Sequence, residues 1–133
     1  MTKTMTIKEQ IEEGRWLDRS YFEQEIHGLA RDLLGRALLR RIEGQWVGGS
    51  IVEVEVYLGG KDPASHARSG VPTERTWPMF GPAGLAYVYK IYGMYHCLNI
   101  AAPPEEGAGA ILIRACEPLI GLEAMASGRN LVW

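Results

Sequence analysis

Apolar residues along the chain recur with helical spacing before residue 36 and with strand-like spacing after it. Between residues 26 and 34 the spacing is i, i+3, i+4, i+7 and i+8, which predicts an amphipathic helix ended by Gly35. The apolar stripe of this helix consists of Ile26, Leu29, Ala30, Leu33 and Leu34. Upstream, Ile7 and Ile11 predict a short amphipathic turn that ends at Gly14, and we expect residues 1–15 to form a loosely attached arm.

Two adjacent strands are predicted next. From Ala37 to Ile42 and from Ser50 to Leu58 the residues are mainly aliphatic and β-branched, and the intervening GQWVGG is expected to form a glycine-rich connection. Because strand side chains alternate between two faces, the second strand should have one face in the core and one that opens onto something polar. The predicted core face consists of Val52, Val54 and Val56, and the other face of Ile51, Glu53, Glu55 and Tyr57.

The second half of the chain begins with residues 59–86, which are rich in proline and glycine. A loop of this length inside a compact domain is usually functional or disordered. The elements predicted after it are strands over 87–92 and 95–100 joined by a hairpin turn at Gly93 and Met94, a strand over 110–115, and a helix through Leu122 and Met125. The order favours an α+β fold with a curved, mostly antiparallel sheet, flanking helices and a protruding β-hairpin.

Length and composition are those of one ordinary globular domain. The chain has 133 residues, of which 47% are apolar and 23% charged, enough apolar material for a core. Its apolar runs are too short to cross a bilayer and its start is polar, so we expect no membrane association and no secretion. Cys97 and Cys116 lie in apolar, strand-like sequence, which favours small buried side chains over a disulfide or a metal site.

The overall charge gives no support to nucleic-acid binding. The formal net charge is −2, from 14 basic and 16 acidic residues. Two local clusters are basic, and each fits a phosphate-binding surface or an ordinary solvated face. They consist of Arg36, Arg40 and Arg41, and of Arg68 and Arg75.

Residues 51–100 combine carboxylates with a high density of tyrosine. An enzyme that excises a base from DNA extrudes that base from the stack, holds its faces and activates a water, and this stretch contains side chains for each task. Taken alone, however, Glu55 also fits a solvent-facing strand glutamate, and a strand tyrosine also fits core packing. The alternatives stay open at this level.

Five motifs, in order, resemble the alkyladenine (3-methyladenine) DNA glycosylase family. They are VEVEVYLG, SHARSG, T-x-R-x-x-x-MF, YVYKIYGMYHCLN and LIRACEPLIG. The resemblance implies an enzyme of base-excision repair that flips alkylated or deaminated purines such as 3-methyladenine, 7-methylguanine and hypoxanthine out of double-stranded DNA. It would hydrolyse the N-glycosidic bond without cutting the strand, as a monomer, and would need no cofactor or metal. We expect it in the cytoplasm or nucleoid of a bacterium, or in the nucleus of a eukaryote.

The resemblance also implies roles for individual residues. Glu55 matches the general base that activates the water, and Arg114 matches an arginine that helps to hold that water near the phosphate of the flipped nucleotide. The residues that match the sandwich around the extruded base are Tyr57, His66 and Tyr89.

Two further matches concern selectivity and DNA distortion. Asn99 matches a residue at the pocket floor that rejects guanine by crowding its exocyclic amine. Tyr92 matches a wedge at a hairpin tip that fills the gap left by the flipped nucleotide. Lys90 alternates away from Tyr89 along its strand, which favours direct hydrolysis over lyase chemistry.

The chain departs from the family pattern in two places. The family sequence continues beyond the position of Trp133 and supplies part of the water site and of the core, so we expect a C-terminally truncated member. A DNA-binding fragment that recognises the lesion without catalysis, or a chain that does not fold alone, are therefore the alternatives to an active enzyme. Thr76 replaces the usual asparagine of a T-x-R-N pattern, which puts the hydrogen bonding of that loop in question.

Overall fold

The computed structural model describes residues 4–59, 72–74, 76–104 and 107–129. The helices within this part are α1 (Ile7–Glu13), α2 (Ile26–Leu33), α3 (Leu122–Gly128) and two short 3₁₀ helices, Arg19–Glu23 and Trp77–Phe80. The strands are β1 (Ala37–Ile42), β2 (Gln45–Leu58), β3 (Ala86–Ile91), β4 (Tyr95–Ala101) and β5 (Gly109–Ile120).

The five described strands form one antiparallel sheet in the order β1-β2-β5-β4-β3. Helix α2 packs on one face of this sheet, and the 3₁₀ helix Trp77–Phe80 contributes to a smaller cluster on the other. The predicted α+β class and antiparallel sheet are thereby confirmed.

The connection between β1 and β2 is shorter than predicted. It consists of Glu43 and Gly44, whose φ angles of 49° and 78° are both positive, as a tight hairpin turn of matching twist requires. The predicted connection GQWVGG is therefore wrong, because all of its residues except Gly44 belong to β2. Its glycines permit close strand contact, since a Cβ on Gly48 would lie 2.1 Å from the carbonyl oxygen of Leu38.

The main core lies between α2 and the sheet. Four of the five residues of the predicted stripe are buried, namely Ile26, Leu29, Ala30 and Leu33, and they pack against Ile51 and Ile111. The fifth, Leu34, is exposed because it follows the last helical residue and no longer shares the buried face. The helix thus covers the sheet as its periodicity predicted.

The alternation predicted for β2 is wrong at its start. Ile51 is 2% exposed and belongs to the core, whereas Val52 is 52% exposed. The register explains this, since Ile51 pairs with Cys116 and Glu53 with Ala115, so that Val52 is an extra residue in the ladder. Such a β-bulge reverses the alternation on one side of it. From Glu53 onward the predicted faces hold, and Val54 and Val56 pack against the core.

The hairpin β3–β4 forms where the sequence predicts it. The Met94 N–H donates to the carbonyl of Ile91 at 3.1 Å, and Tyr92 and Gly93 between them have φ angles of 51° and 69°. A positive φ is uncommon for a tyrosine, so the turn holds Tyr92 in a conformation that glycine would adopt more readily. Beyond the hairpin, β5 extends to Ile120, five residues further than predicted, before α3 begins.

Candidate active site

The sheet register aligns several candidate residues on the face opposite α2. Glu55 on β2 pairs with Leu112 on β5, Leu112 pairs with Asn99 on β4, and Asn99 pairs with Tyr87 on β3. Directly opposed residues of antiparallel strands project to the same side. Tyr57 and Tyr89 lie two residues along from Glu55 and Tyr87, so they share this face.

Glu55 is held from two sides. The Tyr57 hydroxyl donates to its Oε2 at 2.5 Å, and the Arg114 Nε lies 3.4 Å from its Oε1. The side chains of Arg114 and Glu55 are 50% and 40% exposed, so the ion pair is accessible to water. Because each carboxylate oxygen has two acceptor sites, both oxygens keep one for a water molecule.

Arg114 lies at an irregularity in β5. Ala115 pairs with Glu53 and Ile113 with Val54, so Arg114 is left out of the ladder between them. Because Arg114 is two residues from Leu112, which pairs with Glu55, alternation along β5 already places it on the Glu55 face. The bulge changes where on this face its side chain is aimed. At this bulged position the Arg114 side chain contacts Glu55.

Tyr57 and Tyr89, the two tyrosines of the predicted base sandwich, keep their hydroxyl protons at neutral pH. The hydrogen bond to Glu55, followed by burial, raises the pKa of Tyr57 to about 12. Burial is also the main cause that raises the pKa of Tyr89, and hydrogen bonding with Asn99 opposes it. Neutral phenols present electron-rich ring faces and carry no negative charge.

A small apolar cluster backs this face. Its buried members are Met79, Tyr87, Ala108 and Ala110, and the partly buried Tyr57, Phe80 and Tyr89 pack against it. The rings of Tyr87 and Tyr89 lie 5.4 Å apart with an interplanar angle of 45°. Tyr87 is buried, with 5% of its surface exposed. Its even spacing from Tyr89 was the signal that both line one wall.

Asn99 is buried on β4, with 2% of its surface exposed. Its Nδ2 donates to the carbonyl oxygens of Tyr87 at 3.3 Å and of Cys97 at 3.5 Å. These bonds hold the Asn99 amide against the backbone of β3 and β4. Whether it discriminates between purines stays a prediction.

The loop around Thr76 is well provided with hydrogen bonds despite the departure from the family pattern. The hydroxyls of Thr73 and Thr76 lie 2.9 Å apart, and each also accepts from the other residue's backbone N–H, at 3.2 and 3.0 Å. Thr76 is buried and precedes the 3₁₀ helix that supplies Met79 and Phe80. This pair was not predicted from the sequence, because no pattern indicates that two threonines three residues apart form reciprocal hydrogen bonds.

The remaining site residues lie apart from this group or outside the described residues. Tyr92 is at the hairpin tip with 88% of its surface exposed, away from the pair of Glu55 and Arg114. His66 lies outside the described residues, as do Arg68 and Arg75. Of the first basic cluster, Arg36 bonds to Asp32 at 2.8 Å, which reduces its availability to a phosphate.

The described part of the chain shows neither a metal-binding cluster nor a helix of transmembrane length. No group of three or more His, Cys, Asp or Glu side chains comes together within it. Its helices are all too short or too polar to cross a bilayer. Cys97 and Cys116 are both free thiols of intermediate burial.

Comparison with known proteins identifies the family. The family model described as methylpurine-DNA glycosylase matches residues 20–132. A relative from Alkaliphilus oremlandii, named "Putative 3-methyladenine DNA glycosylase", is 47% identical over 113 residues, which are 85% of this chain and 56% of the relative. A relative of the same name from Clostridium tetani is 48% identical over 83% of this chain and 54% of the relative. Another, from Koribacter versatilis, is 47% identical over 86% of this chain and 55% of the relative.

The chain thus spans about half the length of the curated relatives it matches. The matched region contains every described residue of the candidate site. On the extent of the family match and the identity to these relatives, the chain belongs to the methylpurine-DNA glycosylase family.

Proposed function

We propose that the chain hydrolyses the N-glycosidic bond of alkylated or deaminated purines, such as 3-methyladenine, 7-methylguanine and hypoxanthine, in double-stranded DNA. The observation that supports this most strongly is the contact of Glu55 with both Arg114 and Tyr57, on the face that also carries Tyr89 and Asn99. A carboxylate beside aromatic walls is the combination that base excision requires.

The proposed chemistry is direct hydrolysis. The Glu55 carboxylate takes a proton from a water molecule as the water oxygen bonds to the anomeric carbon of the flipped nucleotide. The bond from that carbon to the purine nitrogen breaks, and its electron pair leaves with the base. Arg114 helps to orient the water next to Glu55. Lys90 is exposed and lies next to Tyr89 in the strand, on the opposite face, so we propose no Schiff base and no strand cleavage.

Recognition of the base is assigned to the aromatic side chains. We propose that Tyr57, Tyr89 and His66 enclose the extruded purine and that Asn99 limits which purine fits. Stacking on such rings contributes about 1–3 kcal/mol per base. A purine that carries positive charge after alkylation gains further from cation–π attraction, which normal purines lack. Tyr92, exposed at the hairpin tip, is positioned to fill the gap in the duplex.

The test is single-turnover release of hypoxanthine or 3-methyladenine from a duplex that contains one lesion. We expect the unaltered chain to release base at least about 100-fold faster than Glu55→Gln, since general base catalysis typically contributes that much or more. Glu53→Gln is the matched control, because this exposed carboxylate lies two residues away on the same face. Equal release by the unaltered chain and Glu55→Gln would refute the proposed activity.

A second candidate function is lesion binding without base release. It is favoured by one observation, that the chain covers only about half of the relatives' length. It predicts tighter binding to a hypoxanthine duplex than to an undamaged one in a gel-shift measurement, with no base released. Tyr92→Ala should abolish this preference, whereas Met94→Ala, also exposed at the tip, should retain it. Equal affinity for both duplexes counts against this function.

A further inference from the structure

Tyr57 makes two kinds of contact with different parts of its side chain. Its ring packs against the apolar cluster that includes Met79 and Tyr87, on the face proposed to receive the base. Its hydroxyl donates to Glu55 Oε2 at 2.5 Å. The two functions are therefore separable, because phenylalanine would keep the ring and remove only the hydroxyl.

The hydroxyl restricts Glu55 more than Arg114 does. A glutamate side chain on a strand has several accessible rotamers, and the Glu55 side chain is 40% exposed. The Arg114 contact is long, at 3.4 Å, and the arginine is itself half exposed, so it constrains the carboxylate weakly. The Tyr57 contact is shorter and joins neighbours on the same face of one strand, which makes its geometry local and preorganised.

We propose that Tyr57 is a positioning residue for Glu55, in addition to any stacking by its ring. Its hydroxyl holds Oε2, so that Oε1 faces Arg114 and the proposed water site. A purine stacked on the Tyr57 ring would fix that ring, and the hydroxyl would then fix the carboxylate. The bound base and the general base are in this way linked through one side chain. This inference rests on the proposed function.

The protonation state of the Tyr57 hydroxyl is consistent with this positioning role. The raised pKa of Tyr57, about 12, leaves its hydroxyl protonated throughout the neutral range. It therefore donates to the ionised carboxylate before the reaction and is neither consumed nor exchanged in it. The proton removed from water goes to Glu55, which releases it to solvent afterwards.

The first experiment separates positioning from stacking. Tyr57→Phe should bind a lesion duplex within about 2-fold of the unaltered chain, while its single-turnover rate falls about 10-fold or more, as expected for one hydrogen bond to a charged group. Tyr95→Phe, which removes a hydroxyl from an exposed tyrosine of the hairpin, should change neither quantity. An unchanged rate in Tyr57→Phe would overturn the proposal, and so would an affinity loss as large as the rate loss.

The second experiment does not depend on activity. The ionisation of Tyr57 is followed by NMR of ¹³Cζ-labelled tyrosine, with Tyr57→Phe identifying its resonance. At pH 11 the Tyr57 phenol should be mostly protonated in the unaltered chain, and a clearly larger fraction should be ionised in Glu55→Gln, which lacks the charged acceptor. Identical ionisation in both chains would overturn the positioning role. A chain that shows the difference but releases no base would instead refute only the proposed function.

Discussion

The Thr76 hydroxyl connects a loop to the wall of the candidate site. It bonds with the Thr73 hydroxyl and backbone, and the residues that follow it place Met79 and Phe80 against Tyr87. Thr76 is 3% exposed, so its polar atoms have little access to replacement partners in water. A single hydroxyl group therefore contributes to the position of an apolar wall several residues away.

We expect Thr76→Ala to lower the free energy of unfolding by about 1 kcal/mol, the usual net contribution of such hydrogen bonds. Urea denaturation followed by far-ultraviolet circular dichroism would measure the difference. Thr76→Ser, which keeps the hydroxyl, should lose less than half as much. If the alanine variant is as stable as the unaltered chain, the reciprocal pair does not contribute to stability.

At the scale of elements, α2 begins at a glutamate that caps it. The Glu25 carboxylate accepts from the backbone N–H groups of His27 at 2.9 Å and Gly28 at 2.8 Å, and from the His27 ring at 2.7 Å. These bonds, the backbone ones first, lower the pKa of Glu25 from 4.5 to about 2. An ionised cap also complements the positive end of the helix dipole. The first turn of the helix that covers the core thus depends on a charge.

The depressed pKa predicts how this cap responds to acid. A carboxyl whose pKa is lower in the folded state adds stability that is present above the unfolded pKa of 4.5 and is lost as pH falls toward 2. We expect Glu25→Ala to melt a few degrees lower than the unaltered chain at pH 7, with the gap closing between pH 4.5 and 2. Calorimetry across this range would show it, with Glu23→Ala as an exposed control. A gap that does not depend on pH would contradict the charge-based account.

Elements with one continuous period could be predicted from sequence, and their irregularities could not. The stripe of α2 and the shared face of Glu55 and Tyr57 follow from spacing alone. The bulges at Val52 and Arg114 follow from how β2 and β5 meet, which neither strand specifies by itself. The contact between Glu55 and Arg114 could therefore be anticipated only from the motif resemblance. Its geometry could be learned only from the structure.

At the scale of the whole molecule, an open apolar groove of about 820 Å³ lies on the α2 side of the sheet. Its apolar lining includes Leu98, Ile100, Ile113, Leu122 and Met125. Arg40, Arg114 and Arg129 also line it, and no Asp or Glu is among the described residues that do. A concave apolar surface of this size with a basic border suits an amphiphilic anion.

We expect this groove to bind 8-anilinonaphthalene-1-sulfonate while the chain is fully folded, because the naphthalene ring fits the apolar lining and the sulfonate pairs with arginine. Dye fluorescence should increase well below the unfolding temperature, with near-ultraviolet circular dichroism confirming intact packing. Leu122→Asp, which places a like charge at an exposed position of the groove, should remove most of the increase. Val52→Asp, equally exposed but outside the groove, should preserve it, and equal loss in both variants would show that the dye reports loosened packing instead.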